Sequence, residues 1–302
     1  MTDNMMAAAA VHDGDGLYGM SGAARLAGVI GWPIAHSLSP RLHGYWLRRH
    51  CIDGAYVPLA VRPEHLGEAL SALAKIGFRG VNVTFPHKER ALSLVDIATP
   101  AARNIGAVNT IVIDDDGQLL GSNTDAFGFI HHLRCQVPEW CSADRGPAVI
   151  LGAGGAARAI VYALVEEERV TEVRLINRDL GRAMKLAACL AGPIRPLSWT
   201  DLSGALVGAK LLVNTTPLGM TGQPDLDINL EQLPRDAVVY DIVYTPLETA
   251  LMAAARARGH RVVGGLGMLM HQARPGFFAW FGLMPEVTPD LYRMLAGYLA
   301  AR

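Results

Sequence analysis

Neither sign of charge dominates this chain, and it has no long apolar run. Its 302 residues carry 27 Lys and Arg against 28 Asp and Glu, a formal charge of -1. So even a balance gives no general attraction to nucleic acid or to an anionic membrane surface, and neither is expected as a partner. No hydrophobic stretch reaches the ~20 residues that a bilayer-spanning helix needs. Cysteine is scarce as well: Cys51, Cys135, Cys141 and Cys189, with no CxxC pair. His131, His132, Cys135 and Cys141 stand close together, but structural zinc sites favour tighter paired spacings, so no metal is expected. Reduced, mostly buried thiols in a cytoplasmic protein are the expectation. The first 24 residues lack a basic start and a long apolar core, so residues 1–25 are read as a flexible tail and not as a signal peptide.

What the chain does have is apolar mass. Hydrophobic residues make up 51% and charged residues 18%, enough to fill large cores, and the length suits two domains. A small-molecule partner is the default for such a chain.

The stretch 80–89 is where chemistry is expected. Val81, Val83 and Phe85 alternate with Asn82 and Thr84, which predicts a strand with one apolar and one polar face. Pro86 ends its pairing, and a helix is expected from about His87. Lys88 then leaves the strand's C-terminal end, the edge at which open α/β sheets bind ligands. Upstream, residues 27–31 read as the first strand. Ser37-Leu38-Ser39-Pro40 precedes a helix, with Ser39 as its expected N-cap. Two hydroxyls beside free backbone N–H groups make a neutral site for a carboxylate or phosphate.

Residues 55–61 predict a second strand and 63–76 an amphipathic helix. Helices alternate with strands, which implies parallel βαβ units. Residues 100–105 read as a short helix, 110–113 and 119–121 as a hairpin, and 127–133 as a helix. Residues 135–147 are expected to cross irregularly between domains.

Residues 148–151 predict a buried strand that runs directly into Gly152-Ala153-Gly154-Gly155-Ala156-Ala157 and a helix through 165. GxGxxA between strand and helix is the context in which the motif means dinucleotide binding. Gly152 would permit the turn, Gly154 a close approach of the pyrophosphate, and Ala157 tight helix–strand packing. The strand 173–176 ends in Asn177-Arg178, where an NAD site usually has a carboxylate for the ribose. Neutral Asn177 with Arg178 and Arg182 suits a 2′-phosphate, hence NADP, although Asp179 would repel that phosphate. Further strands are predicted at 211–215, 238–243 and 261–263. Residues 264–268 would give flexibility between domains. A helix over 269–280 would carry Gln272 and be interrupted or kinked by Pro275, and a last helix spans 291–301.

Together these motifs resemble the shikimate dehydrogenase family. Ser37-Leu38-Ser39-Pro40 looks like its substrate-carboxylate motif, and residues 82–89 like its catalytic-lysine segment. Gly106-Ala107-Val108-Asn109-Thr110 and Asn123-Thr124-Asp125 match segments supplying a substrate-binding Asn and the catalytic Asp. The similarity runs in order from about Leu26 to the last helix and departs at Asp179, where the family commonly has Thr. It implies reversible reduction of 3-dehydroshikimate to shikimate with NADPH, in chorismate and aromatic amino-acid biosynthesis. Lys88 and Asp125 would be the acid/base pair, and Ser37, Ser39, Thr84, Asn109, Tyr244 and Gln272 would bind substrate. Gly152, Ala153, Gly154, Gly155, Ala156, Asn177, Arg178, Arg182, Gly265 and Met268 would bind the cofactor. The fold implied is an α/β substrate-binding catalytic domain (26–125 and 265–302) and a Rossmann domain (126–264), with the C-terminal helices returning to the first. Two rivals stay open: a sister enzyme acting on quinate with NAD, and an NADP-binding regulator without catalysis. A homodimer is also left open.

Overall fold

The computed structural model describes residues 20–141 and 146–301. Most of the expected tail therefore lies outside the described residues, as do residues 142–145 of the predicted 135–147 crossover. Two six-stranded sheets organise the molecule. The first contains β1 (Arg25–Gly31), β2 (Gly54–Ala60), β3 (Phe78–Val83), β4 (Ile97–Ala98), β5 (Thr110–Ile113) and β6 (Leu119–Ser122). Its order is β2-β1-β3-β5-β6-β4, with β1 parallel to β2 and β3, and β5 antiparallel to β3 and β6. Helices α1 (Ser39–Arg49) and α2 (Leu66–Lys75) make the parallel crossovers, and α3 (Lys88–Leu92) and α4 (Pro100–Ile105) follow. A 3-10 turn at Pro63–His65 precedes α2, so the predicted helix there begins as a tighter coil.

The strand expected to present a polar face does not. β3 lies between β1 and β5, and Asn82 is as buried as its apolar neighbours. A central strand is covered on both faces, so its polar residues need internal partners. The strand ends at Val83, with Thr84 N still donating to Ile30 O and Phe85 O accepting from Trp32 N, and the Phe85 side chain stands 75% exposed.

Helix α5 (Asp125–Gln136) leads to the second sheet, whose strands are β7 (Ala148–Leu151), β8 (Val173–Asn177), β9 (Ile194–Ser198), β10 (Leu211–Asn214), β11 (Val238–Asp241) and β12 (Arg261–Gly264). All pair in parallel, in the order β12-β11-β10-β7-β8-β9. This is the doubly wound arrangement, and its order reverses beside β7. Every residue of β7, β10 and β11 is buried, as strands covered by helices on both faces require. Those helices include α6 (Gly155–Tyr162), α7 (Leu180–Cys189), α8 (Leu202–Ala205) and α9 (Ala250–Ala257). α6 stops short of the predicted 165 and passes into a π turn at Ala163–Glu167.

The chain then returns to the first sheet through α10 (Gly265–Phe281) and α11 (Pro289–Ala300). Phe277 and Trp280 of α10 pack with Trp46 and Tyr56 in the first core, and Trp280 Nε1 donates to Ile111 O at 3.1 Å. Residues 265–268, expected to be a flexible joint, are instead the buried first turn of α10. Their glycines serve close packing. A Cβ on Gly267 would lie 1.9 Å from the His132 ring, so only glycine lets α10 rest against α5. Pro275 is accommodated within α10, which runs on to Phe281.

Cys51, Cys135 and Cys189 are exposed, against the expectation of buried thiols. Cys51 follows the end of α1 and Cys189 is the last residue of α7, so both stand at helix ends facing solvent. Among the described residues, no helix is long and apolar enough to cross a membrane.

Candidate active site

A cavity of about 300 Å³ opens between the C-terminal edge of the first sheet, α10, and the facing edge of the second sheet. Of the residues expected to bind substrate or move protons, Ser37, Ser39, Thr84, Lys88, Asn109, Asp125, Tyr244 and Gln272 all line it. They come from segments scattered over the whole chain, most of them at strand ends or helix starts, with Gln272 reaching in from the middle of α10.

Lys88 is the first residue of α3. The loop before it is held from inside, since buried His87 Nε2 donates to Val61 O at 2.8 Å. Lys88 Nζ donates to Asp125 Oδ2 at 2.6 Å. The Asp125 side chain is 8% exposed and that of Lys88 24%, so the pair is shielded while the ammonium keeps access to the cavity. Asp125 opens α5, where the N-terminal end of the helix favours a carboxylate. Its other oxygen accepts from Asn109 Nδ2 at 2.8 Å, and its backbone N–H donates to Asn123 Oδ1 at 3.0 Å. Gln272 Oε1 lies 3.4 Å from both Asn109 Nδ2 and Thr124 Oγ1, which ties α10 to the same cluster.

The serines sit differently from expectation. Leu38 is the cap position of α1 and no side chain caps that helix; Ser39 lies inside its first turn. Ser39 is buried, close to Tyr56 of β2. Ser37 Oγ accepts from Ser39 N at 3.3 Å. Burial raises the pKa of the Tyr244 phenol, keeping it a hydrogen-bond donor at neutral pH.

His36 and Asn82 also line the cavity, and sequence reasoning missed both. Asn82 carried a signal, a polar residue inside an apolar strand. His36 carried only its place beside Ser37.

The expected cofactor residues divide. Ala156, Gly265 and Met268 line the same cavity, while Gly152, Ala153, Gly154, Gly155, Asn177, Arg178 and Arg182 lie along the neighbouring edge of the second sheet. Gly152 has φ +108° and a Cβ there would be 2.6 Å from Thr215 Oγ1, so the turn requires glycine. A Cβ on Gly154 or Gly155 would meet no atom within 4 Å. Their missing side chains thus leave open space before the free N–H groups at the start of α6, a cradle that fits a pyrophosphate. Beyond β8, Arg178 and Arg182 are exposed, and neither is in an ion pair among the described residues. Asp179 neither pairs with Arg178 nor stands loose: it is the N-cap of α7, its Oδ1 accepting from Arg182 N at 3.3 Å. Asn177 Nδ2 donates to Asp179 O at 2.8 Å, and the Arg178 guanidinium lies over the Trp199 ring at 5.7 Å. The residues present fit a 2′-phosphorylated dinucleotide.

Residues 29–111 match the shikimate dehydrogenase substrate-binding domain. A shikimate dehydrogenase (NADP(+)) from Rhodospirillum rubrum is 58% identical over 282 residues, covering 92% of this chain and 99% of its own. Among solved structures, shikimate 5-dehydrogenase from Thermus thermophilus, in complex with NADP(H) and shikimate, is 36% identical. It superposes with TM-score 0.79 over 91% of this chain and 99% of its own. Quinate dehydrogenase from Corynebacterium glutamicum in complex with NAD is 32% identical, with TM-score 0.82 over 92% of this chain and 99% of its own. With relatives of that name similar along nearly their whole length, the chain belongs to the shikimate dehydrogenase family.

Proposed function

We propose that this protein is an NADP-dependent shikimate dehydrogenase that reversibly reduces 3-dehydroshikimate to shikimate, in chorismate and aromatic amino-acid biosynthesis. The observation that carries the reading is the Lys88–Asp125 pair at 2.6 Å, in the cavity that Ala156 of the glycine loop also lines. A protein that only bound nucleotide would need the loop and not the pair.

When bound, NADP supplies or accepts the hydride. The protein's own share is the proton and the geometry. Lys88 Nζ gives a proton to the substrate oxygen in reduction and takes it back in oxidation, with Asp125 holding the ammonium in place. Ser37 and Ser39 anchor the substrate carboxylate; Thr84, Asn109, Tyr244 and Gln272 sort the ring hydroxyls. Asn177, Arg178 and Arg182 receive the 2′-phosphate, and the N-terminus of α6 the pyrophosphate. Residues 26–125 with 265–302 form the substrate domain and 126–264 the cofactor domain. A cytoplasmic location is part of this proposal, and sedimentation tests whether the protein is a homodimer.

The test is absorbance at the reduced-nicotinamide band with shikimate and quinate, each against NADP+ and NAD+. Shikimate with NADP+ is the pair expected to turn over fastest. Preference for quinate with NAD+ would transfer the chain to the sister activity, and no turnover with any pair would remove the enzymatic reading.

A further inference from the structure

Behind the cavity, a chain of buried polar side chains leads away from Asp125, and its hydrogen bonds run one way. Two backbone groups fix the direction. Asn82 Nδ2 lies 3.2 Å from Asn109 O, which can only accept, so the Asn82 amide nitrogen faces it and Oδ1 faces Tyr56. Tyr56 Oη therefore donates to Asn82 Oδ1, at 2.6 Å. At the other end, the Thr124 backbone N–H lies 2.8 Å from Asn109 Oδ1 and can only donate. The Asn109 amide nitrogen must then face Asp125 Oδ1, 2.8 Å away. Thr110 Oγ1 joins the two halves. It accepts from Asn82 Nδ2 at 3.1 Å and donates to Asn109 Oδ1 at 2.9 Å, nearer than its other neighbour, Thr124 Oγ1, at 3.2 Å.

We infer that Tyr56 is a positioning residue for the acid/base pair: its hydroxyl starts a one-way relay through Asn82, Thr110 and Asn109 that fixes the Asp125 carboxylate against Lys88. The inference rests on the proposed role of that pair. Tyr56 is 7% exposed, Asn82 6%, and Asn109 and Thr110 2% each, so the relay atoms are partnered mainly by one another, with the cavity reached only at Asn82 and Asn109. Aligned bonds polarise one another, and each is strengthened by its neighbours. Burial pushes the Tyr56 pKa well above the usual tyrosine range, against a hydrogen bond with Ser39, so the hydroxyl keeps its proton at neutral pH. The ring is clamped as well, stacked on His43 with centroids 3.9 Å apart. Tyr56 does not line the cavity; it reaches Asp125 through Asn82 and the carboxylate-anchoring serines through Ser39, and the exchange of the Asn109 amide reports on the first route alone.

Tyr56→Phe removes the first donor without changing the packed volume, and leaves Asn82 Oδ1 buried without a partner. Two readouts decide the matter. The first is hydrogen exchange of the Asn82 and Asn109 side-chain amides, followed by NMR on the free protein; it needs no turnover. The second is the split between kcat and KM. The relay predicts amide exchange faster by about tenfold at both asparagines and kcat lower by roughly fivefold, with KM changed less than about twofold. Tyr240→Phe is the comparator: it strips a buried hydroxyl that meets His132 Nδ1 at 2.7 Å, outside the relay. It should lower the melting temperature and move neither readout. Unchanged Asn109 exchange in Tyr56→Phe overturns the relay, whatever happens to stability. If Tyr56→Phe does not fold, Thr110→Ser and Thr110→Val take its place. The serine should keep both readouts and the valine lose them, and equal behaviour of the two overturns the inference. Wild type inactive on shikimate would sink the proposed activity alone, since the exchange measurement still judges the relay.

Discussion

Lys88 is held by one short bond on its protein side and faces the cavity on the other. Replacing it with alanine removes the proton carrier but leaves the N–H groups at the start of α6 and the Arg178 and Arg182 side chains unchanged. Lys88→Ala should therefore lower kcat by about 10²–10⁴-fold while NADP+ binding, followed by fluorescence titration, stays close to wild type. More than about a tenth of the wild-type kcat remaining would take Lys88 out of the proton transfer. Asp179 poses a subtler problem, because its carboxylate caps α7 within the cluster meant for a 2′-phosphate. Threonine also caps helices but carries no charge. Asp179→Thr is expected to tighten NADP+ binding and leave NAD+ nearly unchanged, with the melting temperature preserved. Asp179→Ala gives up the cap as well, at a cost of about 1 kcal/mol. Calorimetric titration of both cofactors against both variants separates the charge from the cap.

At the level of elements, the sequence was legible where a segment's pattern had a single cause. β7 and the glycine loop were readable because a wholly apolar strand running into GxGxxA has few other meanings. The 110–122 hairpin was readable from Asp115, Asp116 and Gly117 at its turn. β9 was not, because Pro196 and Arg195 sit in it; it is an edge strand, where proline and charge are tolerated. The candidate site was legible in its residue types, while the inward turn of Ser39 and the relay behind Asn82 depend on partners remote in sequence. Residues 264–268 were misread for an instructive reason: glycine marks either freedom or close approach, and sequence alone does not say which. Gly267 is the second kind. Gly267→Ala should cost about 1–3 kcal/mol of stability, because the new methyl must displace the His132 ring or part α10 from α5. Chemical denaturation measures it, and a variant as stable as wild type would mean that this contact yields easily.

For the whole molecule, acid is the weak side. Burial lowers the pKa of His43 and His132 to about 3 each, and that of His271 to about 4. His271 also feels the nearby Arg274, and His132 feels His271. Their unfolded value is about 6.5. Below it the unfolded chain takes up protons that the folded chain refuses, so this part of the stability is complete above pH ~6.5 and drains away as pH falls towards the folded values. The melting temperature should accordingly drop between about pH 6.5 and 4. Neither ring nitrogen of His43 has a hydrogen-bond partner among the described residues, and its surroundings are aromatic. His43→Phe should raise the melting temperature at pH 5 more than at pH 8; equal gains at both would show that His43 does not contribute to the acid sensitivity.

The return of α10 and α11 to the first sheet also sets an order of events during synthesis. The first core includes Phe277, Trp280 and Leu291, so it lacks its closing residues until synthesis has passed Leu291, well after the second sheet is complete. The second sheet's last strand ends at Gly264, and its strands and covering helices are contiguous in sequence. On the ribosome, the half that is translated later is therefore the one able to fold first. The half that carries Lys88 must wait with its apolar strands uncovered until the C-terminal helices emerge.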